Sequence, residues 1–137
     1  MGRIVAIDYG QKRTGLAVTD ELKIIATGLT TVRSVDVIDF LKDYAKVNAV
    51  ECFVVGEPKQ MNNTASGASV FIEPFVRALK VAFPAIRVER TDERFTSLMA
   101  SQTIREAGLK RSDRRNKALV DTVSATIMLQ SYMEMVK

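Results

Sequence analysis

Apolar and polar positions fall into blocks short enough to read as individual elements. The run from Arg3 to Ile7 is apolar and rich in β-branched residues, the pattern of a strand buried on both faces. Asp8 stands near its end. Thr14 to Thr19 reads as a second strand, Asp20-Glu21-Leu22-Lys23 as a polar turn, and Ile24 to Val32 as a third strand with Gly28 at a bulge. Such short links favour an antiparallel meander. Ser34 is a good N-cap for a helix running to about Lys46, in which Val35, Ile38, Leu41 and Ala45 recur on one face.

The apolar run Val50 to Val55 stops at Gly56-Glu57-Pro58. It follows a helix, so a right-handed crossover lays it parallel to the first strand. Lys59 to Gly67 reads as a loop and Ala68 to Phe83 as a second helix, with Phe71, Phe75, Leu79 and Ala82 on one face. Pro74 is expected to kink that helix or to mark a later start. Ile86 to Thr91 is a fifth strand, parallel to the first. A helix capped by Thr96 or Ser97 ends at Gly108, and a last helix spans Asn116 to Met135. The order βββαβαβαα predicts an α/β fold: a mixed five-stranded sheet, three strands antiparallel and then two parallel, flanked by helices.

Composition narrows the chemistry. With 137 residues, 47% hydrophobic and 26% charged, the chain reads as one soluble domain spanning residues 1–137. No apolar run reaches membrane-spanning length, and the start lacks a signal-peptide pattern. The lone cysteine, Cys52, lies in an apolar run and suggests a reducing, cytoplasmic setting. The absence of histidine excludes His-based triads and His-ligated zinc. Any metal is then held by oxygens, which favours Mg²⁺ or Mn²⁺. A formal net charge of +4 suits a polyanionic partner.

Acids from three separated segments stand out. Asp8 ends the first strand, Asp92 and Glu93 end the fifth, and Asp121 shares a helical stripe with Ala118, Ala125, Met128 and Tyr132. Gathered on one edge, such carboxylates repel one another. Divalent cations relieve that repulsion, and two ions about 4 Å apart support in-line displacement at phosphorus. Local explanations stand beside this one. Asp8 can pair with Lys12 or Arg13, Asp92 and Glu93 can favour a helix N-terminus, and Asp121 can pair with Lys117. The connector Leu109 to Lys117 holds five cations (Lys110, Arg111, Arg114, Arg115, Lys117) against one acid. It reads as a solvated loop or as a grip on a nucleic-acid backbone. With no Trp and few aromatics there is no base-stacking platform, so backbone and shape are what this chain would recognise.

These residues resemble the YqgF (RuvX) family of bacterial RNase H-like proteins, related to the RuvC type of Holliday junction resolvase. The matching stretches are Asp8-Tyr9-Gly10 with Arg13, Gly15 and Ala17; Val54-Val55-Gly56 with Pro58; Asp92-Glu93-Arg94 with Thr96; and Lys117, Val120-Asp121, Ala125 and Leu129-Gln130. The resemblance implies an RNase H-like fold with the first strand central. It also implies a Mg²⁺- or Mn²⁺-dependent nuclease site of Asp8, Glu93 and Asp121, with Arg13 and Lys117 against the scissile phosphate. The activity implied is endonucleolytic maturation of the 5′ end of pre-16S rRNA in ribosome biogenesis, with structured RNA as partner. Resolution of branched DNA junctions and non-catalytic RNA binding are the alternatives. Glu57 departs from the family pattern, as do Asn63, Phe95 and Ser124. Glu57 stands on the strand-four edge where RuvC-type enzymes carry an acid, so the sequence leaves open whether Glu57 or Asp92 joins or replaces Glu93.

Overall fold

A computed structural model describes residues 2–57, 67–92 and 117–135. Its elements are β1 (Arg3–Tyr9), β2 (Arg13–Thr19), β3 (Ala26–Arg33), a 3₁₀ turn (Ser34–Asp36), α1 (Val37–Val47), β4 (Val50–Glu57), α2 (Gly67–Ala82), β5 (Arg87–Asp92) and α3 (Lys117–Met135). The five strands form one sheet in the order β3-β2-β1-β4-β5. β1 pairs antiparallel with β2 and parallel with β4, β3 is antiparallel to β2, and β5 is parallel to β4. The mixed sheet, with its first strand central, is the one the sequence predicts. The expected helix between residues 96 and 108 lies outside the described residues.

Period-two alternation divides the sheet between two cores. On one face Val5, Ile7, Leu16, Val18, Phe53 and Val55 pack against Val37 and Leu41 of α1 and Ile72, Phe75, Val76 and Leu79 of α2. On the other, Ile4, Ala6, Ala17, Cys52 and Val54 meet Ala125, Met128, Leu129 and Tyr132 of α3. Bulky side chains face the paired helices. The α3 face carries smaller ones, which lets one helix lie close to the strands. Among the described residues no helix is long and apolar enough to cross a membrane.

Two helix expectations are corrected by the packing. Val35 is 76% exposed rather than inward, because Ser34 to Asp36 form a 3₁₀ turn whose tighter winding shifts the phase before α1 begins. Ser34 caps no helix through its side chain. Of the two expectations for Pro74, a later helix start is overturned: α2 continues through it. Ile72, Phe75, Val76 and Leu79, on both sides of the proline, are buried against the sheet and hold the helix together.

Candidate active site

Asp8 is half-buried near the C-terminal end of β1. Alternation places it with Ile4 and Ala6 on the face covered by α3. Its partner directly across on β2 is Gly15. On the other side Val55 of β4 pairs with Ile7, so Gly56, the next residue, flanks Asp8 and shares the face of Val54. Glycine therefore borders Asp8 on both neighbouring strands. Thr31 of β3 pairs in turn with Gly15, so Thr31, Gly15 and Asp8 form one row across three strands.

The direction of α3 follows from its far end. Tyr132 lies beside Arg87, at the start of β5, and Cys52, near the start of β4, and burial pushes its phenol above the ordinary value. The helix therefore runs antiparallel to β1, and its N-terminal part meets β3 at Thr31 and Gly28. Thr122 fixes the level: its Oγ1 is 2.6 Å from Thr31 Oγ1. Asp121 is next to Thr122 in the chain, so its backbone lies near the level at which Thr31, Gly15 and Asp8 are aligned. Ala125, Met128 and Tyr132 of the predicted stripe face the sheet.

The β1–β2 turn is held by a small polar network. Ser34 donates its hydroxyl to the Gly10 carbonyl at 2.5 Å, sits 2.9 Å from the buried Thr14 hydroxyl, and donates its backbone N–H to the Lys12 carbonyl at 3.0 Å. The turn itself requires glycine at position 10, where a Cβ would stand 2.6 Å from the Arg13 carbonyl oxygen. From this turn β2 returns with Arg13 two residues before Gly15, on the same face as Gly15 by alternation and toward the open end of the sheet. Sequence reasoning missed the part played by Ser34, since a helix-start serine and a serine that ties down a turn look alike in one dimension.

Of the site residues named from the sequence, Asp8 and Arg13 are described in full, and Lys117 and Asp121 are placed on α3 by their backbone. Glu93 lies outside the described residues, as do Lys110, Arg111, Arg114 and Arg115. Glu57 and Asp92 end β4 and β5 as a register pair, one position beyond the pair Gly56 and Thr91. Their strand parity is that of Val55, opposite to Asp8. Among the described residues no group of three or more acids, cysteines or histidines is assembled. The acids named from the sequence would offer carboxylate oxygens, which are the ligands that hard divalent cations take.

This architecture is an RNase H-like α/β fold with an acid on its central strand. The same fold is found in Thermus thermophilus RuvC in complex with a Holliday junction substrate (TM-score 0.56, 19% identity), with 98% of this chain and 96% of that one covered. The sequence profile described as "RuvX: Holliday junction resolvase" matches residues 2–135. A Bacteroides fragilis protein named "Putative pre-16S rRNA nuclease" is 59% identical over 134 residues, 98% of this chain and 97% of its own. A Flavobacterium psychrophilum protein of the same name is 58% identical over 133 residues, 97% of each chain. The chain belongs to the RuvX family and is, by that membership, a nuclease.

Proposed function

We propose that this protein is a divalent-metal-dependent endonuclease that processes the 5′ end of pre-16S rRNA in the bacterial cytoplasm during ribosome biogenesis, with Asp8, Glu93 and Asp121 as its metal-binding carboxylates. The observation that carries the reading is the level of α3: the Thr31–Thr122 contact docks the helix on the strand row that continues to Asp8, which favours Asp121 as its companion. The carboxylate-only donor set fits Mg²⁺ or Mn²⁺. When bound, the metal supplies an activated water and stabilises charge at phosphorus. The remaining work falls to the chain. Arg13, one pleat beyond Gly15, and Lys117, at the start of α3, neutralise the scissile phosphate. Lys110, Arg111, Arg114 and Arg115 grip the flanking backbone.

The names of the relatives favour ribosomal RNA as substrate. The family description and the RuvC likeness favour branched DNA as the second reading. Asp8→Asn tests the site. In Mg²⁺ it abolishes cleavage of a precursor 16S rRNA fragment while thermal melting stays that of the parent. Undiminished cleavage by Asp8→Asn eliminates the site. Binding of the RNA without cleavage by the parent, in either Mg²⁺ or Mn²⁺, reduces the protein to a binding module. Cleavage of a four-way DNA junction but not of the RNA fragment establishes the second reading.

A further inference from the structure

β3 carries an irregularity whose consequence falls on the active edge. Leu16 pairs with Thr30 and Ala17 with Gly28, so Leu29 is an extra residue without a partner on β2. A bulge of this kind resets the alternation of the strand. Leu29 packs into the core under α1 and α2, while Gly28 and Thr31, three positions apart, both face α3. In a regular strand they would face opposite ways. Gly28 lets the helix come close, since a Cβ there would stand 2.6 Å from Thr122 Cγ2 and 3.2 Å from Thr126 Oγ1. Thr31 then meets Thr122 hydroxyl to hydroxyl at 2.6 Å, across 91 residues of sequence. Thr126 in turn donates its hydroxyl to the Thr122 carbonyl at 2.9 Å.

We infer that Thr31 is a positioning residue for the metal site: through its hydrogen bond to Thr122 it fixes the height and rotation of the first turns of α3, and so the placement of Asp121 relative to Asp8. The inference rests on the metal-site reading above. Simple helix docking would need only shape and apolar contact at this point, which a valine supplies equally well. The bulge instead turns a hydroxyl toward the residue adjacent to Asp121. Groups that orient a metal ligand commonly change affinity by about 10- to 100-fold when removed.

The test is Mn²⁺ binding by calorimetry to the full chain, free of nucleic acid, for Thr31→Val, Thr31→Ser, Thr122→Val and Asp8→Asn, each with a thermal melt. Thr31→Val and Thr122→Val weaken Mn²⁺ binding about 10-fold, and Thr31→Ser, which keeps the hydroxyl, restores parental affinity. The Thr31→Val/Thr122→Val double variant loses less than the product of the two single losses, because the bond between the two hydroxyls is counted in both. Parental affinity in both valine variants, with Asp8→Asn weakened, overturns the positioning role and leaves the metal site standing. Parental affinity in Asp8→Asn overturns the metal site and this inference with it. Equal weakening in Thr31→Ser and Thr31→Val assigns the effect to packing and also overturns it.

Discussion

Asp8 on the central strand stands directly opposite Gly15 on its antiparallel neighbour. Opposed residues in such a pair have Cβ atoms about 5 Å apart and share a face, so a side chain at position 15 would stand beside the carboxylate. Gly15→Val is expected to keep the sheet, since valine suits a central strand. It should cut cleavage by about 100-fold, the scale on which a displacement of about 1 Å at a reacting centre is felt. Cleavage assays set against far-ultraviolet circular dichroism check it. Loss of the fold along with the activity would show that Gly15 serves the strand rather than the site.

Gly28 makes a different demand. The Cβ of an alanine there would press on Thr122 Cγ2 at 2.6 Å. Thr122 is β-branched, with few rotamers to retreat into, and its hydroxyl is engaged with Thr31. Gly28→Ala is therefore expected to destabilise the protein by about 1–3 kcal/mol, the usual cost of overpacking, read as a lower urea midpoint with an unchanged slope.

The hairpin between β2 and β3 should respond to acid. Asp20 Oδ1 accepts the N–H groups of Ile24 at 2.7 Å and Ile25 at 2.9 Å. These bonds hold its carboxyl below the ordinary value of 3.8, the Ile25 bond most of all. A carboxylate with a depressed folded-state pKa lends stability above the unfolded value and loses it as pH falls through the folded one. The hairpin is expected to loosen only below about pH 3.8, seen as faster exchange of the Ile24 and Ile25 amides. Asp20→Asn keeps an acceptor oxygen and should abolish the pH dependence.

Nucleic-acid binding should be strongly salt-dependent. If Lys110, Arg111, Arg114, Arg115 and Lys117 each neutralise a phosphate, log K falls against log[salt] with a slope of about −4 to −5 on a duplex. Replacing Arg114 and Arg115 with alanine should flatten the slope by about 2. A salt response unaltered by that double change removes these arginines from the interface.

Much of this fold is legible in one dimension because its signals are local. Ile4 to Ile7 are buried as their apolar pattern requires, and Ala125, Met128 and Tyr132 fall on the packed side of α3. Val35 fails as an inward residue because a single 3₁₀ turn changes the winding. Pro74 fails as a helix boundary because burial on both sides of it outweighs its local penalty.

The sequence by itself determined the five strands, the described helices in outline and the acids at hand: hydrophobic period and turn chemistry act between neighbours, and the lack of histidine with a single cysteine leaves oxygen donors for a metal. Tertiary structure alone decided that Gly15 borders Asp8, that Leu29 is an extra residue in β3, and that Thr31 meets Thr122. Those relations depend on strand register and on the height at which a distant helix docks. Both are set by packing between segments far apart in the chain, for which no local pattern exists.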